Sequence, residues 1–173
     1  MIVHEKSTPT LDGSVVAIGA FDGMHLGHQA VISEAIDKSR CHNVPSIVYT
    51  FDPPPRAYFQ HSIILTDVAR KVEILSEMGI DQTIIASFDR SYVHRSAEDF
   101  LHELTKLHPK EILVGNDFRF GRGRSGNVQL LKQHFNVRTV DPVRCPKGKV
   151  ISSTRIRRLI NVGEIKEASN LLG

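Results

Sequence analysis

Continuous apolar runs, rather than alternating apolar and polar positions, mark the candidate strands of this chain. Segments with the apolar spacing of amphipathic helices lie between these runs. Unbroken apolar strands are typical of sheets that are buried on both faces, as parallel sheets are. The predicted strands cover residues 14–19, 44–51, 83–86, 111–115 and 137–140.

The helical segments carry start and stop signals. A capping box, S-x-x-D, begins at Ser96, and Gly79 stands where the preceding helix should stop. The prolines at 53–55 must end the second strand, because proline lacks the N–H that a sheet requires. A loop is predicted from there to the next helix, which Thr66 caps. The predicted helices cover about 27–39, 66–78, 96–107, 125–135, 153–161 and a last segment to 172, after an extended lead-in over 1–13 and with a hairpin turn at 146–149.

This alternation predicts an α/β, Rossmann-like layered domain with a mainly parallel sheet and right-handed crossovers. A chain of 173 residues is long enough for one domain with a real core, so residues 1–173 are interpreted as a single domain. Ligands of such sheets bind beyond the carboxyl ends of the strands. The turn with His25 and His28, the triple-proline loop and the loop after Gly115 all follow strand ends, and we expect them to form one site.

Composition narrows the class of protein. No apolar run approaches the roughly 20 residues of a membrane span, and the N-terminus lacks the apolar segment of a secretory signal. The two cysteines, Cys41 and Cys145, have no metal-like spacing, so we expect a reducing, cytoplasmic location. These features predict a protein without a membrane partner.

Positive charge is concentrated in one part of the chain. The net charge is only +3, but residues 118–163 contain eleven of the 22 lysines and arginines and a single acid, Asp141. This bias indicates a phosphate-rich partner, either a nucleotide or a nucleic acid. A nucleic-acid-binding domain is the weaker interpretation, because aromatic residues are not interleaved with the arginines.

The first candidate motif is G-A-F-D-G-M-H-L-G-H, residues 19–28, directly after the first core strand. A strand that enters a helix through a glycine-rich turn brings backbone N–H groups and the helix dipole to an anion. Two imidazoles at such a turn can hydrogen-bond the charge that develops on an attacked α-phosphate. The alternative is an ordinary strand-to-helix turn.

A second candidate motif, V-I-S-S-T-R-I-R, occupies residues 150–157. Its hydroxyl groups and free N–H groups open a helix, and Arg157 lies one turn further on the same side. Such a helix end suits phosphate oxygens. The alternative is an N-capped basic helix without a ligand.

Taken together, the two motifs resemble the adenylyltransferase branch of the nucleotidyltransferase superfamily and its HIGH-type fold. Residues 50–56, T-F-D-P-P-P-R, resemble the F-(D/E)-P-H-P loop of one family, and residues 114–121, V-G-N-D-F-R-F-G, resemble its V-G-x-D-F-x-F-G segment. That family is the FAD synthetase (FMN adenylyltransferase) module of bacterial bifunctional riboflavin kinase/FAD synthetases. The resemblance extends from about Val15 to Gly173.

The resemblance implies an enzyme that moves AMP from ATP to FMN and releases FAD and pyrophosphate, with Mg²⁺ accompanying ATP. Metal ligands are not assigned. The implied catalytic residues are His25, His28, Asp117 and Arg157; the implied nucleotide-binding residues are Gly19, Phe21, Asp22, Gly23, Gly27, Ser153 and Thr154; the implied flavin-lining residues are Pro53, Pro55, Phe59 and Phe120.

Several alternatives remain open at this point. Phe59 and Phe120 also fit a core role, and Asp117 also fits a turn that its own side chain stabilises. Pro54 stands where the family usually has histidine, which predicts altered FMN binding or turnover. Other possibilities are a different phosphorylated acceptor, or a flavin- or nucleotide-binding module without turnover. In the family, the position of Gly173 leads into a riboflavin kinase module, which we expect to be absent from this chain.

Overall fold

The computed structural model describes residues 1–5 and 7–172. In the described residues, parallel strands form the centre of the molecule. The strands are β1 (Ile2–His4), β2 (Ser14–Ile18), β3 (Ser46–Asp52), β4 (Gln82–Ser87), β5 (Pro109–Gly115), β6 (Arg119–Phe120), β7 (Gly126–Asn127) and β8 (Val137–Val140). Six of them form one all-parallel sheet in the order β1-β4-β3-β2-β5-β8, whereas β6 and β7 pair as a short antiparallel hairpin.

Helices cover both faces of this sheet. They are α1 (Leu26–His42), α2 (Pro55–Gln60), α3 (Val68–Met78), α4 (Arg90–Val93), α5 (Ala97–Thr105), α6 (Val128–His134), α7 (Ser153–Asn161) and α8 (Ile165–Leu172), with a 3₁₀ turn at Arg122–Arg124. Among the described residues, no helix combines the length and the apolar character needed to cross a bilayer.

Strand β2 shows why its residues are apolar without alternation. Val15 and Ala17 pack into a cluster with residues of α1 and α3, whereas Val16 and Ile18 pack into a second cluster with residues of α5 and α6. Both faces of the strand are therefore buried, as the continuous apolar run predicts. A third, smaller cluster joins α7 and α8 to the hairpin around Cys145.

The strand order reverses beside β2. The chain proceeds from β2 to β3 and β4 on one side of the sheet, and then crosses to β5 and β8 on the other side. This reversal is the place where ligands of open α/β sheets bind. The carboxyl ends of β2, β3 and β5 are neighbours there, so the three loops selected from the sequence do lie at one edge.

The predicted α/β architecture is confirmed, with local differences. The triple-proline segment continues into helix α2 instead of a loop, because Pro55 occupies the first helical position, where a missing N–H costs nothing. Asp67 rather than Thr66 caps α3. The short helix α4 lies where the sequence predicted no element, and α1 begins at Leu26 and extends to His42.

Candidate active site

The turn after β2 has a backbone that few residues adopt. Phe21 and Met24 have positive φ angles of 47° and 41°, and Gly23 has a φ of 96°. A Cβ on Gly23 would also stand 3.0 Å from the Leu65 side chain, so this position needs glycine. The turn thereby directs the chain from the strand end into α1 within a few residues.

The two histidines of this turn lie against each other. The rings of His25 and His28 are stacked, with centroids 3.6 Å apart and planes 18° apart. His25 is the N-cap of α1, and its Nδ1 accepts a hydrogen bond from the backbone N–H of His28 at 3.2 Å. An Nδ1 that accepts leaves the proton of a neutral ring on Nε2. His28 also contacts the Phe21 ring edge-on, at 5.4 Å between centroids.

Burial keeps both imidazoles neutral. It lowers the pKa of His25 to about 4, although the carboxylate of Asp22 acts in the opposite direction. Burial also holds the pKa of His28 well below its usual range, and the neighbouring His25, when protonated, and the positive charge of Lys71 lower it further. The Nδ1 atom of His28 is buried and has no hydrogen-bond partner among the described residues. The site therefore presents neutral rings that retain hydrogen-bonding capacity.

Helix α7 reaches the histidine turn through Asp22. The Ser153 hydroxyl donates a hydrogen bond to the backbone carbonyl of Asp22 at 2.7 Å, and the Arg157 guanidinium pairs with its carboxylate. The other carboxylate oxygen accepts from the backbone N–H groups of Leu65 and Thr66 at 2.8 and 3.1 Å. The two motifs recognised in the sequence are thus in direct contact through Asp22.

Two further contacts bring α7 close to the rest of the site. Thr154 accepts a hydrogen bond from the guanidinium of Arg56, which follows the triple proline on α2. Gly27 lies beneath the His25 ring, and a Cβ there would stand 3.2 Å from that ring and 3.6 Å from the carbonyl of Ile151. A side chain at Gly27 would therefore crowd the ring on which the arrangement depends.

Helix α2, which begins at the last of the three prolines and contacts α7 through Arg56, carries an exposed aromatic side chain. Pro53 and Pro55 are partly exposed, and Phe59 on α2 is 60% exposed. The Phe59 ring packs edge-on against Tyr58 and Phe88, at 5.3 and 5.9 Å between centroids. An exposed ring held by neighbouring rings can receive a flat ligand.

The two candidate site residues on the loop after β5 differ in exposure to solvent. Asp117 is exposed, and its Oδ1 lies 3.2 Å from the place where a Cβ on Gly115 would stand. Phe120 is only 8% exposed and packs against Phe100 and Phe118, at 5.1 and 5.7 Å between ring centroids. The core role that the sequence left open for Phe120 is therefore what the structure shows, while its part in a flavin pocket stays a prediction.

A buried lysine, Lys71, lies near the candidate site and belongs to neither sequence motif. Lys71 on α3 is 2% exposed, and its Nζ donates to the carbonyl of Ala20 at 2.9 Å and to the hydroxyl of Thr50 at 3.2 Å. The position of Lys71 could have indicated its burial. It lies three residues after Val68 and four before Leu75, which places a charge on the apolar side of the helix.

Comparison with known proteins gives consistent results. A family model described as FAD synthetase matches residues 7–155. The chain is 51% identical over its whole length to a putative bifunctional riboflavin kinase/FMN adenylyltransferase of Geobacillus thermodenitrificans, and covers 97% of it. It is 34% identical to the bifunctional riboflavin kinase/FMN adenylyltransferase of Escherichia coli K12, and it spans 58% of that longer relative.

A solved structure shares the fold over the whole chain. It is titled as a macrolide-efflux protein from Streptococcus pneumoniae and superposes with a TM-score of 0.86 at 30% identity. The match covers 100% of this chain and 70% of that one. The family match, the full-length relative and the shared fold agree with the motifs and their geometry. The chain belongs to the FAD synthetase family.

Proposed function

We propose that this chain transfers AMP from ATP to FMN, which gives FAD and pyrophosphate. The observation that carries the proposal is the direct contact of the histidine turn with the amino end of α7 through Asp22. We call the place where these two segments meet the phosphate gap. A triphosphate bound there would have neutral imidazoles on one side and the hydroxyl and N–H groups of a helix start on the other. Membership of the FAD synthetase family supports the same reaction.

In the proposed reaction, an oxygen of the FMN phosphate attacks the α-phosphorus of ATP in line. The bond from that phosphorus to the oxygen bridging the α- and β-phosphates breaks, and its electron pair leaves with pyrophosphate. The protein contributes positioning and charge stabilisation and forms no covalent bond. His25 and His28 would donate hydrogen bonds to the α-phosphate, where negative charge develops in the transition state.

The start of α7 would hold the leaving group. Ser153 and Thr154 occupy its first turn, and the helix dipole favours the charge of the β- and γ-phosphates there. Two nitrogens of Arg157 already donate hydrogen bonds within the protein, Nη2 to the carboxylate of Asp22 and Nε to the carbonyl of Ile63. Its Nη1 makes no hydrogen bond within residues 1–5 and 7–172, and we assign it to the phosphates.

We further propose that Mg²⁺ enters the site with ATP. Mg²⁺ commonly keeps several waters and binds through substrate phosphates with one or two carboxylates. Among the described residues, no group of three metal-ligating side chains forms a preformed cage. Asp22 uses both carboxylate oxygens within the protein, whereas Asp52 is exposed at the end of β3. Of these two residues, Asp52 is the one whose carboxylate would be available to a phosphate-bound ion.

The flavin half of the acceptor would lie on the segment after β3. Phe59, Ile63 and Ile64 are 60%, 60% and 43% exposed, which leaves apolar surface for a large flat ring beside the phosphate gap. Asp117, exposed on the neighbouring loop, would orient the acceptor. Pro54 in place of the family's histidine removes one hydrogen-bonding group from this segment, and turnover is expected to be slower than with histidine.

The proposed activity corresponds to the adenylyltransferase half of the relatives' names. The family model covers residues 7–155, and the E. coli and Buchnera relatives are about twice as long as the matched region. A kinase activity would reside in sequence that those relatives have beyond it. Both cysteines are free thiols, which supports our proposal of a cytoplasmic location.

The test combines two measurements on the same protein. ATP, FMN and Mg²⁺ are mixed, and flavin fluorescence and released pyrophosphate are followed together. Stoichiometric pyrophosphate release with fluorescence quenching is expected, with riboflavin as the matched acceptor that lacks the phosphate. Quenching without pyrophosphate would identify a binding module instead. Pyrophosphate release with nicotinamide mononucleotide or 4′-phosphopantetheine, but not with FMN, would identify a different acceptor.

A further inference from the structure

We propose that Lys71 is a positioning residue for the adenylyl transfer: it clamps the start of the histidine turn to the end of β3 from inside the protein. The inference rests on the proposed function and extends it to a residue outside both sequence motifs. Lys71 lies on α3, and its ammonium group ends beneath the turn, where it contacts Ala20 and Thr50.

The three groups form a closed arrangement. The Nζ of Lys71 donates to the carbonyl of Ala20 and to the hydroxyl of Thr50, and the same hydroxyl donates to the same carbonyl at 3.1 Å. Ala20 directly precedes Phe21, the first residue of the turn with a positive φ. A shift of the Ala20 carbonyl would therefore move the backbone that leads to Asp22 and His25.

Burial of an ammonium group costs free energy unless hydrogen bonds or a counter-charge replace its lost hydration. Lys71 is 2% exposed, and among the described residues it has no salt bridge within 4.0 Å. Burial lowers its pKa to about 8, and the carboxylates of Asp22 and Asp52 partly oppose this decrease. An apolar side chain would fill the same space at a lower cost in solvation. The hydrogen bonds to Ala20 of the turn and to Thr50 of β3 are the gain that explains a lysine here.

The charge of Lys71 also acts on the histidine pair. It lowers the pKa of His28, which is packed against His25 and Phe21. The charged or titratable groups around Lys71 are Asp22 and His28 from the turn and α1, and Asp52 from β3. Removal of the ammonium group should therefore raise the pKa of His28 toward its usual value.

The test compares Lys71→Met with Arg70→Met, a matched control that removes an exposed cation from the next position of the same helix. The measured quantities are the dissociation constants of MgATP and FMN, kcat, and the pH profile of kcat/KM. For Lys71→Met we expect about tenfold weaker MgATP binding, and kcat lower by on the order of tenfold to a hundredfold, as displaced catalytic groups cause. FMN affinity should stay within about threefold of the wild-type value, because the turn that Lys71 positions is assigned to the nucleotide.

The acid limb of the pH profile separates positioning from a general loss of structure. It should move to higher pH in Lys71→Met and stay in place in Arg70→Met. Thr50→Val removes the bridging hydroxyl without a change of charge, and should reduce kcat in the same direction. In the double variant the two losses should be less than additive, because both act through Ala20.

The following outcomes would contradict a positioning role of Lys71. MgATP affinity and kcat within twofold of wild type for Lys71→Met would overturn it, as would equal losses for Arg70→Met or fully additive losses with Thr50→Val. If Lys71→Met does not fold, Thr50→Val decides, and unchanged kcat there overturns the inference. If wild type binds MgATP but forms no FAD, the proposed function fails, while the comparison of MgATP affinities still tests Lys71.

Discussion

The carboxylate of Asp22 accepts a hydrogen bond from the guanidinium of Arg157, although 135 residues separate the two in the chain. Their side chains are only 4% and 11% exposed. The pair joins the turn after the first core strand to the helix near the other end of the sequence. This ion pair and the hydrogen bond of Ser153 hold the two segments together at the proposed phosphate gap.

Substitution of Asp22 should therefore affect stability as well as activity. Asp22→Asn leaves the Arg157 guanidinium buried without its counter-charge, which costs about 3 kcal/mol or more in comparable buried pairs. Urea unfolding measures the loss of free energy. Asp37→Asn is the matched control, because it breaks an exposed pair with Arg40 and should cost less than about 1 kcal/mol. Equal losses for the two variants would show that the buried pair has no special role.

Substitution of His28 should mainly affect turnover. His28→Ala removes an imidazole whose Nδ1 is buried and has no hydrogen-bond partner in the described part of the chain. The value of kcat should decrease by on the order of a hundredfold or more, as for the loss of other transition-state donors. Steady-state pyrophosphate release measures this, with the unfolding midpoint recorded for the same preparation. His134→Ala, on the exposed side of α6, should retain wild-type kcat. A His28→Ala enzyme with wild-type turnover would remove this residue from the mechanism.

Acidification should destabilise the fold before most carboxylates titrate. The pKa of His25 is about 4 in the folded protein and about 6.5 in an unfolded chain. Between these values the unfolded state binds more protons, so the free energy of unfolding falls as the pH decreases from about 6.5 to 4. The depressed pKa of His28 acts in the same direction.

Urea midpoints at intervals from pH 7 to pH 5 check this prediction. His25→Asn removes one of the groups that must be protonated, so its stability should depend less steeply on pH in this range. His134→Asn serves as the exposed control and should retain the wild-type slope. If His25→Asn and wild type have the same slope, His25 is not neutralised by burial.

The exposed ring of Phe59 should affect the acceptor and not the nucleotide. Phe59→Ala removes an aromatic face, and contacts between aromatic rings contribute about 0.5–1.5 kcal/mol. FMN affinity, measured by flavin fluorescence, is therefore expected to weaken by roughly two- to tenfold, while the MgATP affinity is retained. Ile165→Ala removes a similarly exposed apolar side chain from α8 and should change neither affinity. Loss of MgATP affinity in Phe59→Ala would place the nucleotide on this surface instead.

Local sequence signals predicted those parts of the fold that local chemistry determines. The predicted bounds of β8 and α7 coincide with the observed Val137–Val140 and Ser153–Asn161, and the capping box at Ser96 is formed. Helix α2 was missed because three consecutive prolines suggest a loop, whereas a proline at the first turn of a helix is readily accommodated.

The site was predictable where its residues form motifs and unpredictable where it depends on tertiary packing. The histidine turn and the start of α7 were both recognised, and the structure brings them into contact through Asp22, while their catalytic roles stay predictions. The burial of Lys71 was not predicted, because a lone lysine in a helix is usually solvated. Only the packed structure reveals its contact with Ala20. The burial of Phe120 likewise depends on Phe100 and Phe118, which come together only in the folded chain.

The separate hydrophobic cluster of α7 and α8 has a consequence for how the protein opens. Among the described residues, this cluster shares no buried side chain with the two clusters that line the sheet. We therefore expect the last two helices to open as a cooperative unit once their polar contacts with Asp22 are broken. Such an opening would separate the two sides of the proposed phosphate gap while the sheet stays intact. A nucleotide that spans the gap favours the attached form, and its affinity is then coupled to the fraction of molecules in which these helices are docked.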